Sequence, residues 1–265
     1  MYETLRVDRE DHLTWLTLDR PNSLNAMSTT LIRELGDFFW KLHDDREARV
    51  LVLRGAGRAF CAGLDLKENT GGEGAGGSVQ GGLRAQRAVS ELVMLMRRAP
   101  QPIIAAVHGA ACGGGFALAL AADVRIAGES ARMNAAFIRI GLSACDVGVS
   151  YFLPRLVGAS IASELLLTGN FIDAARAERT GLVSRVVPDG ELESAARAMA
   201  QDMLRNSPIG LRLTKECLKF SIDAPSLEAA VAMEDRNQIL AAQTSDFREG
   251  ITAFLQKRPP TFGDT

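Results

Sequence analysis

Apolar residues run along the first half of the chain in two rhythms. Leu13–Leu18 and Val50–Leu53 are short apolar runs that read as strands. Between them, Leu31, Leu35, Phe38, Phe39 and Leu42 fall on one face of a helix, with Ser28 placed to cap it. The turn-rich "DRPNSLN" separates the first strand from this helix. A second helix is expected over Leu83–Arg98, stopped by Pro100 and Pro102. "PIIAAVHG" then reads as a buried strand and turn, "GGGFALALAAD" as a helix opened by glycines, and "VRIAG" as another strand. Strands alternating with helices predict an α/β core built from crossover units. From Asp189 onward the pattern is helical, over 191–205, 208–220, 226–243 and 246–256. This divides the chain into an α/β core, 1–190, and a helical C-terminal part, 191–265, of the kind used for oligomerisation. No fixed-period repeat stands out.

Two segments need separate treatment. Residues 69–82, "NTGGEGAGGSVQGG", read as a mobile glycine-rich loop beside something it can close over. Residues 102–122 carry no Asp, Glu, Lys or Arg and are long enough to span a bilayer. Gly109, Gly113, Gly114, Gly115 and His108 interrupt that run, which makes a strand, a glycine turn and a buried helix the better reading.

Composition narrows the function classes. The 265 residues are 47% hydrophobic and 23% charged, with 30 basic and 32 acidic side chains. That near balance leaves no footprint for nucleic acid. The opening "MYETLRVDREDHL" is charged throughout and has no apolar signal-like run. Cys61, Cys112, Cys145 and Cys217 are widely spaced, with no Cys-x-x-Cys pair, which suits free thiols in a reducing compartment and a cytoplasmic setting. No His, Cys and Asp cluster has zinc spacing, so no metal is expected.

The chemistry concentrates in two glycine-bearing turns. Each follows an apolar strand: "GRAFCAGLDLKE" after Val50–Leu53, and "GAACGGGFALALAAD" after "PIIAAV". Glycines at a helix start leave backbone N–H groups bare, and the helix end carries partial positive charge. A dinucleotide fingerprint fits poorly, because no third glycine follows Gly115 at the required spacing. Glycine for close packing alone is the plain alternative. Two N–H groups converging from separate loops would form an oxyanion hole, suited to a carbonyl that becomes an enolate or tetrahedral oxyanion.

At these residues the chain resembles the crotonase, or enoyl-CoA hydratase/isomerase, superfamily. The match runs through "RPNSLNAM" (20–27), "GRAFCAGLDLKE" (57–68), "PIIAAVHGAACGGGFALALAADVRIAG" (102–128), "FIRIGL" (137–142), "YFLPRLVG" (151–158), "LLLTGNFIDAARAERTGLVSRVV" (165–187) and "REGITAFLQKRPPTF" (248–262). The resemblance implies a ClpP/crotonase-like fold of repeated ββα units with a C-terminal helical trimerisation region. It implies an acyl-CoA thioester as substrate, with coenzyme A arriving as part of that substrate and no prosthetic group. It implies an oxyanion hole from the N–H groups of Leu64 and Gly114. It places Leu24, Ala26, Ala62, Gly63, Leu64, Asp65, Leu66 and Gly114 along the CoA groove. Phe254 and Lys257 match positions that contact CoA, often across a subunit interface, in a homotrimer or dimer of trimers.

The chain departs from the family at the two glutamates of its hydratases. Ala117 and Phe137 stand at those positions, and neither transfers a proton. Asp146, in "GLSACDVG", matches the acid/base of several isomerase branches and the nucleophile of an aryl-thioester branch. One carboxylate suffices to move a proton from C2 to C4 of a 3-enoyl thioester, and the apolar Ala117 and Phe137 would exclude water. The favoured expectation is therefore enoyl-CoA isomerisation with Asp146 as shuttle. The alternatives are a hydratase with atypical water activation, an aryl- or ring-acyl-CoA isomerase or hydrolase-type member, and a catalytically silent CoA-binding scaffold. Cys112, Cys145, His108, Ser143, Arg139 and Glu164 rank below Asp146 as chemical groups.

Overall fold

The computed structural model describes residues 1–70 and 78–263. Its strands are β1 (Leu5–Glu10), β2 (Leu13–Leu18), β3 (Val50–Gly55), β4 (Ile103–Val107), β5 (Ala110–Cys112), β6 (Val124–Gly128), β7 (Arg132–Asn134), β8 (Ile172–Asp173) and β9 (Arg185–Val187). Its helices are α1 (Thr29–Leu42), α2 (Leu66–Thr70), α3 (Val79–Arg98), α4 (Gly114–Ala121), α5 (Val149–Val157), α6 (Ala159–Thr168), α7 (Ala174–Arg179), α8 (Leu192–Leu204), α9 (Pro208–Ser221), α10 (Leu227–Ala242) and α11 (Ser245–Leu255).

A six-stranded sheet in the order β1-β2-β3-β4-β6-β9 forms the centre, and a small sheet, β5-β7-β8, lies beside it. β1 is antiparallel to β2, while β2, β3, β4, β6 and β9 run parallel. Strand–strand–helix units are visible along the chain. β3 leads to Cys61, which bridges to Ala111 of β5, and then to α2 and α3; β4 leads to β5 and α4; β6 leads to β7 and α5. Each unit leaves the large sheet, touches the small one and returns through a helix.

Alternation along the parallel strands sorts two cores. Leu16, Leu18, Leu51, Leu53, Ile103, Ala105 and Val107 join Leu31, Leu35, Phe39, Leu92 and Met96 in the larger core. Leu13, Trp15, Val50, Val52, Ile104 and Ala106 face the other way, onto Leu192, Ala196 and Ala200 of α8. α8 therefore covers the second face of the sheet, and the helices that lie off the sheet begin with α9. α9 is anchored by Lys215, whose buried ammonium meets Gln101 O at 2.7 Å, Met96 O at 3.3 Å and Asp123 Oδ2 at 2.8 Å.

The predicted apolar face of α1 is buried as expected, and Ser28 Oγ accepts from Leu31 N at 3.1 Å. The 102–122 run divides into β4, β5 and α4, and no helix among the described residues is long and apolar enough to cross a membrane. One element is added, and one expectation changes. The charged N-terminal stretch contains β1, whose outer face is solvated and so lacked an apolar signature. The 69–82 loop is shorter than expected, because α2 runs through Thr70 and α3 starts at Val79, where Ser78 Oγ accepts from Gly81 N at 3.1 Å. A cap outweighs the helix-breaking tendency of Gly81 and Gly82 there. Residues 71–77 of the predicted loop lie outside the described residues.

Candidate active site

The site begins with a turn that fixes itself. Asn25 is fully buried; its Oδ1 accepts from Arg20 N at 2.9 Å and its Nδ2 donates to Ala56 O and Ala59 O, each at 2.8 Å. Leu24 and Asn25 adopt φ of 52° and 55°, which reverses the chain. The turn then pairs with the segment after β3: Ala62 N donates to Leu24 O at 3.0 Å, Met27 N to Gly63 O at 2.7 Å and Asp65 N to Met27 O at 3.1 Å. The bridge pattern turns the N–H of Leu64 away from Met27. On the opposite side, Cys61 N donates to Ala110 O at 3.0 Å and Cys112 N to Cys61 O at 2.9 Å.

These bonds bring the two glycine turns together. A β-carbon on Gly63 would stand 2.7 Å from Cys112 O and 3.7 Å from Gly114 N. A β-carbon on Gly115 would stand 2.1 Å from Cys61 O, so only glycine fits. α4 starts at Gly114, and Gly113 N is already bonded to Asn134 O at 2.9 Å. Among the described residues the N–H groups of Leu64 and Gly114 meet no acceptor. At the other end of α4, buried Arg125 donates to Ala122 O at 2.7 Å, Leu120 O at 3.3 Å, Ala119 O at 3.4 Å and, across the chain, Leu182 O at 2.8 Å. Burial pushes the Arg125 guanidinium down to about 10, so it stays charged at neutral pH. A cation on the carbonyl end reinforces the dipole that makes the Gly114 end attractive to an oxyanion.

The predicted groove residues share this ribbon. Leu24, Ala26 and Ala62 are half-buried, Gly63 and Asp65 are buried, and Leu64 and Leu66 are exposed. Asp65 is committed to the fold: its Oδ2 meets Arg20 at 3.0 Å, and Arg20 also donates to Ala26 O and reaches Glu68 at 3.2 Å. Burial pushes the Asp65 carboxyl up, but Arg20 and the N–H groups of Glu68 and Lys67 outweigh it and hold the group below the ordinary carboxylate range. Phe254 and Lys257 lie elsewhere, at the end of α11. Phe254 is 82% exposed and lines a separate cavity of about 380 Å³ with Ile251, Leu255 and Phe262.

Ala117 is fully buried in α4, and the Phe137 ring stands over Gly113, 3.5 Å from where its β-carbon would be. Asp146 sits in the loop before α5, and both α3 and α5 pack on α4. Asp146 Oδ1 accepts from Gln86 Nε2 at 2.5 Å and from Val147 N at 2.8 Å. Val147 holds a φ of 46°, a conformation that costs a β-branched residue about 1–3 kcal/mol. Core packing of Val147 and Val149 offsets that cost. Gln86 carried no motif signal in the sequence, and Arg125 lay in a matching segment with no role attached; only the fold shows what they reach.

Four of the lower-ranked groups are otherwise engaged. His108 Nε2 pairs with Gly57 O at 2.9 Å, Ser143 Oγ accepts from Cys145 N at 3.1 Å, and Arg139 reaches Asn170 Oδ1 at 2.7 Å. Glu164 forms a two-point pair with Arg176 at 2.8 and 2.7 Å. Burial raises the Cys61 and Cys112 thiols to about 12 and 11, which keeps both protonated and unreactive.

Known proteins carry the same chain design. The family model for enoyl-CoA hydratase/isomerase matches residues 8–265. The probable enoyl-CoA hydratase echA12 of Mycobacterium bovis is 41% identical over 256 residues, 94% of this chain and 88% of that protein. The 1,2-epoxyphenylacetyl-CoA isomerase of Escherichia coli K12 is 35% identical over 262 residues, 99% of each chain. The crystal structure of an enoyl-CoA hydratase from Bacillus anthracis superimposes with a TM-score of 0.94 at 34% identity, covering 99% of this chain and 100% of the other. With the paired glycine turns, the ββα units and a match along nearly its whole length, the chain belongs to the enoyl-CoA hydratase/isomerase family of the crotonase superfamily.

Proposed function

We propose that the chain is an enoyl-CoA isomerase that converts a 3-enoyl-CoA to its 2-enoyl isomer. The thioester oxygen accepts from Leu64 N–H and Gly114 N–H. The Asp146 carboxylate takes a proton from C2, and the electrons move into a dienolate whose charge rests on that oxygen. The Asp146 carboxylic acid then delivers the proton to C4, leaving the double bond between C2 and C3. Coenzyme A enters and leaves as part of the substrate, along the strip from Leu24 to Leu66. The observation that carries this reading is that Ala117 and Phe137 leave no carboxylate where the family's hydratases need two, while one carboxylate, Asp146, remains in the loop leading into α5, which packs on α4.

The large exposed side chains of α9–α11, among them Leu218, Phe220, Leu227, Phe254 and Leu255, support an assembled form, a trimer or pair of trimers. A hydratase is the second reading, favoured by the name of the Mycobacterium bovis relative. The Escherichia coli relative, by its name, acts on an epoxidised phenylacetyl-CoA, and supports a ring-acyl substrate as a variant of the same enolate chemistry.

Product analysis separates these readings. The protein is mixed with 3-hexenoyl-CoA and, separately, with 2-hexenoyl-CoA. Isomerisation predicts conjugated product from the first and no 3-hydroxyacyl-CoA from the second. Asp146→Asn is expected to lower the rate at least about 100-fold while CoA binding persists. A hydrated product, or a wild-type rate in the variant, overturns the proposal.

A further inference from the structure

The first half of α3 is an odd place for a polar contact of consequence. Residues 79–88 are all exposed, with Val79 at 76% and Leu83 at 51%; burial begins in earnest only at Leu92, Val93 and Met96. Among the described residues, one hydrogen bond joins residues 79–90 to another element, and it is Gln86 Nε2 to Asp146 Oδ1. The orientation of the amide follows from its partner. An ionised carboxylate only accepts, so the nitrogen of Gln86 must face it.

The second donor on the same oxygen is the N–H of the next residue, Val147, at 2.8 Å. The backbone around it is held: Val149 N donates to Asp146 O at 2.9 Å, and the Val147 and Val149 side chains are buried. A carboxylate oxygen offers about two lone-pair directions. Two donors therefore fill Oδ1. Among the described residues no donor reaches Oδ2.

We infer that Gln86 is a positioning residue for the proton shuttle: its amide and the Val147 N–H occupy Oδ1 of Asp146, so that Oδ2 alone takes and returns the substrate proton. This inference rests on the reading of Asp146 as the shuttle. A carboxyl group that could rotate would offer either oxygen to C2 and lose alignment with C4. One held at Oδ1 presents a single basic oxygen along a fixed edge. The proton leaves C2 for Oδ2, the electron pair enters the dienolate, and the same Oδ2–H returns the proton to C4. Gln86 touches neither carbon and acts through Asp146. Its exposure means that replacing it removes little packing, so the fold is expected to survive the change.

The test measures kcat and KM for conversion of 3-hexenoyl-CoA to the 2-enoyl product. Gln86→Met keeps the length and removes the donor; it should lower kcat about 10- to 100-fold with little change in KM. Gln86→Glu has the same shape but opposes one carboxylate with another, and should be slower than Gln86→Met. Gln86→His restores a nitrogen donor at similar reach and should recover much of the loss. In an Asp146→Asn background, Gln86→Met should add nothing, because the two groups act as one unit. A wild-type kcat in Gln86→Met beside an impaired Asp146→Asn overturns the inference alone. So does a loss confined to KM, or a Gln86→Met loss that persists without the Asp146 carboxylate. An unimpaired Asp146→Asn, or a wild-type protein inert toward 3-hexenoyl-CoA, overturns the reading of the site itself and the inference with it.

Discussion

The second glycine turn opens α4, and the Asp146 loop leads into α5, which packs on α4, yet the glycine turns and that loop are built in opposite ways. The turns present main-chain donors, and backbone bonds on both sides fix them: 24–27 on one flank, 110–112 on the other. Gly115 lies so close to Cys61 O that no side chain fits. Asp146 is a side chain held by an amide from an exposed half-helix and by the N–H of a valine with positive φ. In the function proposed above, the first region would hold an oxyanion whichever acyl group arrives, and the second would decide where a proton goes. On that reading the rigid part carries what the family shares, and the sparsely supported part carries the choice of reaction.

The sharpest way to break this contrast is Gly115→Ala. The added methyl would meet backbone, Cys61 O at 2.1 Å, and the Cys61 β-carbon at 2.7 Å. Neither can yield without opening the pairing between 60–61 and 108–112. Overpacking of this kind costs about 1–3 kcal/mol, or roughly 2–5 °C of melting temperature in a chain this long. On the proposed function turnover should fall about 100-fold or more, since the Gly114 N–H proposed as an oxyanion donor moves with the helix start. A variant with wild-type melting and turnover would show that the turns are not the rigid half.

Much of this was legible in the residues. The apolar face of α1, the runs of β2, β4 and β6, and the bounds of α8 to α11 are stated by periodicity, caps and prolines. β1 was hidden because only Val7 and Leu5 carry its inner face. The start of α3 was hidden because glycine reads as a breaker, while Ser78 supplies the cap that overrides it. Within the site, main-chain roles such as those proposed for Leu64 and Gly114 leave a trace only through glycines and a resemblance. Gln86 left none: it lies 60 positions from Asp146 and sits in an exposed stretch with no pattern around it. Asp65 shows the reverse, a carboxylate placed by resemblance at a ligand groove and engaged by Arg20 and the start of α2.

A change of middle size tests how firmly the groove is tied down. Asp65→Asn keeps an acceptor for the N–H groups at the start of α2 but removes the charge that Arg20 pairs with. The pair is largely shielded, so its loss should cost about 1–2 kcal/mol at neutral pH. The folded carboxyl lies below its unfolded value of about 3.9. Its contribution is therefore fully present above that value and disappears as pH falls through the folded one. Melting curves of wild type and variant should differ at pH 7 and converge on acidification below about pH 4. A gap that is constant with pH would mean the Asp65 charge adds nothing to the ribbon.

The smallest effect should have the opposite sign. Gly82 lies in the first turn of α3, has no positive φ, and a β-carbon there would meet nothing within 4 Å. Gly82→Ala should therefore stabilise the helix by about 0.5–1 kcal/mol through propensity alone. The gain should appear as slower amide exchange over residues 79–88, because this half of α3 has little packing to hold it. Turnover is the more telling readout. If Gln86 presents its amide from a helix that frays, a firmer helix should leave KM alone and raise kcat or leave it unchanged. A drop in kcat would mean that the exposed half of α3 has to loosen during the cycle, and that looseness beside Asp146 is part of how the site works.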